Sequence, residues 1–182
     1  GAGAMDVILS GNSQTHTLAG EVAANTTVRI QGTNTIVNGA VAVAGDADGD
    51  SELLELIVDA GAVVTFNTLQ VINGAVTVDG TATLNMVTDG VGTADVDDGV
   101  IKGAINVNSG GSLTVGTTST NETLALTTAV DDGATFVAAS NLTAEGVITV
   151  GDGTDATPAT FNLNGFTVTS DGVADAVVVQ AS

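Results

Sequence analysis

One short phrase recurs four times along the chain: NGAVAV at 38–43, NGAVTV at 73–78, KGAINV at 102–107 and EGVITV at 145–150. Each copy follows a glycine with apolar residues that alternate with small or polar ones, which puts half the side chains on one face of a strand. A second phrase, DAGAVVTF at 59–66, returns as DDGATFVA at 131–138. The glycines of the first phrase, Gly39, Gly74, Gly103 and Gly146, lie 35, 29 and 43 residues apart. Constant strand chemistry at uneven spacing predicts a parallel β-solenoid, in which each coil contributes short strands and loops of variable length bulge between them. At about 20 residues per coil the chain would form roughly eight to nine rungs.

The rest of the chain agrees with an all-β reading. Strand-like runs such as TTVRI (26–30), TATLNMV (81–87), SLTV (112–115) and AVVVQ (176–180) are short and separated by Gly, Asp or Asn, the residues that tolerate tight turns. No window carries a sustained helical apolar period. SELLELIVDA (51–60) comes nearest, yet its continuation IVDAGAVVTF reads as strand, turn, strand. The alternative is one or more antiparallel β-sandwiches, because Asn-Gly between apolar runs at 38–39 and 73–74 is a strong hairpin signal. Against it, the same slot holds Lys102 and Glu145 in the other copies, and neither favours the left-handed conformation that such a turn needs.

Composition sets limits on partners. Hydrophobic residues make up 43% of the 182, but only four are aromatic, all Phe, so Val, Ile, Leu and Ala must build the interior. Asp and Glu total 21 against Arg29 and Lys102, for a net charge of −19. Such a chain repels polyanions, which argues against nucleic acid as a partner. No run approaches the roughly 20 apolar residues of a membrane-spanning helix, so no direct membrane insertion is expected. Cysteine is absent, which removes disulfides and thiolate metal sites. Abundant Thr, Asn, Gly and Asp with little Lys suits an extracellular or bacterial cell-surface protein. The opening GAGAM reads as a cloning remnant plus Met, leaving 6–182 as one solenoid domain, a fragment of a longer surface protein.

Candidate chemistry is sparse. In GDADGDSELLE (45–55), Asp46, Asp48 and Asp50 at alternate positions, with Glu52 or Glu55 nearby, resemble the oxygen-rich start of a Ca²⁺ loop. The EF-hand pattern fails, since the glycine comes too early, at Gly49, and Ile57 stands where the bidentate Glu is required. Calcium there would use another geometry, and the competing reading is a solvated acidic loop. Asp95, Asp97 and Asp98 form a second acidic cluster without ligand geometry, and Asp131/Asp132 and Asp152/Asp155 read as strand-terminating turns. His16 is the only histidine, and no nucleophile or acid pair is evident beside it. Thr-x-Thr phrases at 15–17, 33–35, 81–83, 118–120 and 167–169 raise ice binding, which uses ranks of threonine on a flat face. Their uneven spacing gives no regular rank, and strand propensity accounts for them.

Two stretches, INVNSGGSLTVGTTSTNETLAL (105–126) and GVITVGDGTDATPATFNLNGFTVTSDG (146–172), resemble the repeats of bacterial autotransporter passenger domains. Related phrasing occurs in filamentous haemagglutinin-like adhesins and rickettsial surface proteins, and the likeness spans about 35–172. The acidity and the near-absence of Lys and Arg depart from that pattern. The resemblance implies a right-handed parallel β-helix on a cell surface, used for adhesion or as a stalk. The expected function is therefore a non-catalytic structural or adhesive segment without cofactor, unless calcium binds. Its partners would be a host-cell or surface ligand, or further copies bound through the solenoid ends. A self-assembling surface-layer, fibre or phage-tail subunit is the alternative. A carbohydrate-active β-helix enzyme is more distant, because aromatic platforms and basic side chains are nearly missing.

Overall fold

The computed structural model describes residues 5–17, 21–22, 26–38, 42–43, 52–53, 55–69, 71–86, 99–116, 122–154 and 156–180. Among these residues there is no helix, and every strand pairing is parallel. The fold is a parallel β-solenoid.

Sheet I stacks eight strands in chain order: β1 (Met5–Leu9), β4 (Thr26–Ile30), β8 (Glu55–Val58), β11 (Val76–Val78), β14 (Ile105–Val107), β17 (Thr128–Val130), β20 (Ile148–Val150) and β23 (Val177–Val179). Sheet II stacks β2 (Thr15–Thr17), β5 (Thr35–Asn38), β9 (Val63–Leu69), β12 (Thr81–Met86), β15 (Ser112–Val115), β18 (Thr135–Ala138) and β21 (Thr160–Asn162). Sheet III stacks β7 (Glu52–Leu53), β10 (Val71–Ile72), β13 (Val100–Ile101), β16 (Glu122–Leu124), β19 (Leu142–Ala144) and β22 (Val168–Ser170). A separate pair joins β3 (Glu21–Val22) to β6 (Ala42–Val43).

The alternating pattern becomes alternating burial. In sheet II, Ala82, Leu84, Leu113, Val115, Phe136 and Ala138 are fully buried, while Thr81, Thr83, Ser112, Thr114, Thr135 and Val137 between them are not. Register keeps like on like: Val64 pairs with Ala82, Ala82 with Leu113, and Leu113 with Phe136. Phe136 then meets Phe161 at a ring-centroid distance of 5.3 Å. Each aliphatic side chain removed from water in these columns contributes about 1.5–3 kcal/mol.

Three copies of the recurring phrase are equivalent. Val76/Val78 pair with Ile105/Val107, and Ile148/Val150 lie two rungs further along the same buried columns. The first copy is not equivalent. Its Ala42–Val43 forms β6, which pairs with β3, and the sheet I position of that coil belongs to Thr26–Ile30. The long gap between Gly103 and Gly146 conceals a whole coil, whose sheet I strand is Thr128–Val130 and whose corner carries Leu126 instead of glycine.

The corner glycines do not serve left-handed backbone. Gly74, Gly103 and Gly146 are not among the positive-φ residues, and neither is Asn73, so the Asn-Gly at 73–74 is no hairpin turn. A Cβ on Gly103 would overlap the Gly74 carbonyl, and one on Gly146 would overlap the Leu126 carbonyl of the coil beneath. At Gly103 and Gly146 backbone thus stacks directly on backbone, leaving no room for a side chain, whereas the intervening corner admits Leu126. Left-handed glycines sit instead between sheets I and II, at Gly61, Gly110 and Gly133.

Coil length varies as expected. Leu56 pairs with Val76 and Val76 with Ile105, so one coil takes 20 residues and the next 29 without any shift of the ladder.

Candidate functional site

The Ca²⁺ reading cannot be placed. Asp46, Asp48 and Asp50 lie outside the described residues, as do Asp95, Asp97, Asp98 and Asp155, and of Glu52 only the backbone is described, pairing with Val71 in sheet III. Glu55 is placed on the outer side of sheet I, where its carboxylate accepts a hydrogen bond from the Thr27 hydroxyl. Among the described residues no group of three or more His, Asp or Glu side chains is arranged to hold a metal ion.

What the fold does assemble is a ladder of polar residues at the corner between sheets I and II. Asp59, Asp79, Asn108 and Asp131 occupy it in successive coils, and each backbone amide donates to the end of the previous sheet I strand: Ile30, Val58, Val78 and Val107, at 2.8–3.0 Å. Their side chains continue the ladder. Arg29 and Gln31 donate to the two oxygens of Asp59, at 2.6 and 3.0 Å, and Asn108 donates to Asp79 at 2.6 Å. Donors from amides and the one arginine thus separate carboxylates that would otherwise repel rung by rung.

Beyond Asn108 the ladder reaches a cluster of carboxylates. Asp131, the buried Asp132 and the exposed Asp152 gather at one end of it. Partial burial, followed by the charges of Asp152 and Asp132, pushes the Asp131 carboxyl above its ordinary value. Asp152 moves the other way, because the Thr154 hydroxyl and amide both donate to it, at 2.6 and 2.8 Å. The turn reading of these aspartates holds for Asp131, whose carbonyl accepts the Ala134 amide, and for Asp152.

Two inward positions escaped the sequence reading. Glu122 opens β16 in register with Leu142, so a carboxylate occupies an interior column, fully buried, with the Ser140 hydroxyl donating to it at 3.3 Å. A Cβ on Gly116 would overlap that Ser140 hydroxyl, which explains the glycine there. His16 pairs with Val37 and so heads the column that continues into Phe66 and Leu84, a packing position.

The outer face of sheet II is the remaining feature. Register aligns Val63, Thr81, Ser112, Thr135 and Thr160 in one outward column. Beside it run Ile36, Thr65, Thr83, Thr114, Val137 and Asn162, with Thr15 at the head. Next to both, the Asn85 side-chain amide donates to Asn67 and that of Asn67 to Asn38, at 3.3 and 2.8 Å. Corner loops absorb the uneven spacing and bring Thr65, Thr83 and Thr114 to consecutive rungs, while Ile36, Val63, Ser112, Val137 and Asn162 interrupt the two columns elsewhere. Only the pairs at 15–17 and 81–83 contribute whole; Thr35 turns inward, Thr169 belongs to sheet III, and 118–120 lies outside the described residues.

No family model, curated protein or solved structure matches the chain.

Proposed function

We propose that this chain is a non-catalytic structural and adhesive segment of a secreted or cell-surface bacterial protein, of the kind that autotransporter passenger and haemagglutinin-like repeats form. One observation carries the reading. The ladder of sheet I runs unbroken through eight strands while the coils between them range from 20 to 29 residues. Such a body tolerates loops of any length at its corners and grows only along one axis, which suits a spacer that displays loops. Polar groups at the corners stack upon one another, and the surplus negative charge keeps a Val-rich body soluble.

Small-angle scattering tests the shape. Eight strands of sheet I at about 4.8 Å per rung give a body roughly 35 Å tall before loops are added. A compact two-lobed envelope would contradict the rod. Reproducible turnover of a polysaccharide, abolished by a single Asp→Asn change, would contradict the non-catalytic role.

A self-assembling subunit is the second reading, favoured by the last coil. Val179 is 74% exposed in β23, and its column begins at the other end with Leu9. A second copy stacked end to end would continue that column, and sedimentation at rising concentration and salt reports it directly.

A further inference from the structure

We propose that the outer face of sheet II binds ice. The inference deepens the adhesive half of the proposed function and rests on it, naming a ligand that the sequence reading had set aside.

The face is chemically unlike the rest of the molecule. None of the outward residues of sheet II is charged, although the chain carries 21 carboxylates. Among the described residues, Glu55 stands on the outer side of sheet I and Asp59, Asp79 and Asp131 at its corner, while Glu122 is turned inward in sheet III. Neutrality removes two classes of ligand. A polyanion would bring negative charge against a body of −19. A free neutral glycan needs flat aromatic surfaces to offset the entropy of ordering it, yet Tyr and Trp are absent, Phe66, Phe136 and Phe161 lie in the inward column of sheet II, and the exposed Phe166 lies outside that sheet.

What remains is a periodic solid whose surface is already ordered. The parallel ladder repeats each outward column at about 4.8 Å, and a two-residue step along a strand separates the columns by about 6.6 Å. Threonine adds order of its own, because a β-branched side chain on a strand has few rotamers. Thr65, Thr81, Thr83, Thr114, Thr135 and Thr160 therefore stand at points of a nearly rectangular net, which they share with Ile36, Val63, Ser112, Val137 and Asn162 and whose spacings approach those of water oxygens on a prism face of hexagonal ice.

The hydroxyls are also uncommitted. Thr27, Thr33, Thr154 and Thr167 elsewhere spend theirs on Glu55, Asn12, Asp152 and Asn141. Among the described residues none is hydrogen-bonded to the hydroxyls of Thr65, Thr81, Thr83, Thr114, Thr135 and Thr160, which stand on the outer side of the sheet. Threonine is consecutive over three rungs of one column, Thr65, Thr83 and Thr114, and the uncharged face around it extends over the seven strands of sheet II, or about 30 Å at the rung spacing.

The test is growth of single ice crystals and recrystallisation of frozen films in the presence of the 182-residue chain. Faceted crystals and arrested recrystallisation are expected. The double variant Thr83→Lys, Thr114→Lys should lose both effects, whereas Thr77→Lys, on the outer side of sheet I, should keep them. Circular dichroism and thermal unfolding of each variant separate loss of the face from loss of the fold. Rounded crystals growing at the rate seen with an ordinary globular protein would overturn the proposal, as would equal loss in the sheet I variant. A dimer of the parent that the double variant converts to monomer would assign the face to self-association instead and overturn it too. Failure on ice with an elongated scattering profile leaves the rod intact, so the two readings fail separately.

Discussion

Replacing Gly103 by alanine tests why the recurring phrase keeps its glycine. The backbone of Gly103 is not left-handed, so alanine carries no conformational penalty there. Its Cβ would instead overlap the Gly74 carbonyl and crowd the Ala75 amide, both backbone atoms that no rotamer change can move aside. Relief requires the two coils to separate at this corner. The bonds at stake flank it: the Lys102 amide to the Ile72 carbonyl at 2.8 Å, and the Val76 amide to the Ala104 carbonyl at 2.9 Å. Breaking both bonds, each costing about 1–3 kcal/mol when a partner is left unsatisfied, would cost about 2–6 kcal/mol in all. Gly110 is the internal comparison. Its φ is +83° and a Cβ there would meet nothing within 4 Å, so alanine costs only the left-handed strain, about 1 kcal/mol. At about 2–4 °C per kcal/mol for a chain of this length, the two variants should differ clearly in thermal unfolding. Urea denaturation gives an independent reading, because long repeat arrays can lose two-state behaviour. Equal losses in the two variants, or a Gly103→Ala midpoint within error of the parent, would refute the stacking argument.

Phe136→Ala should cost about 3–5 kcal/mol, measured by urea denaturation, since it empties a fully buried site and removes the contact with Phe161. Val78→Asp places an unpaired carboxylate between Val58 and Val107 and should cost several kcal/mol, enough to lower the midpoint by roughly 10 °C. Asp131 holds its proton more tightly when folded, so its contribution is fully present below the ordinary 3.8 and is lost as pH rises through the raised folded value. Asp131→Asn should therefore raise the thermal midpoint near neutral pH and bring no gain below 3.8. Arg29→Met breaks a half-exposed pair with Asp59 and should shift stability by no more than about 1 kcal/mol, an effect that salt reduces further.

Much of the architecture is legible in the chain before any coordinates. Alternation of apolar and polar residues dictates strands, because a strand has a side-chain period of two and no helix can present that pattern to a core. The scarcity of aromatics dictates an interior built of small aliphatic side chains. Glycine at constant places in the phrase marks corners. Its cause was not legible, since steric overlap with Gly74 or Leu126 involves residues 20 to 30 positions away.

Register is what only the tertiary structure decided. The sequence cannot say that Thr65, Thr83 and Thr114 share a column, because corner loops of different length separate them and the ladder alone restores the alignment. The same reason placed Ala42–Val43 outside sheet I despite its matching phrase, and hid the coil of Thr128–Val130, whose corner has no glycine. Glu122 looks like any strand-opening glutamate until the pairing with Leu142 turns it inward. Local pattern fixes which face of a strand is apolar, but stacking between distant residues chooses which side chains stand together.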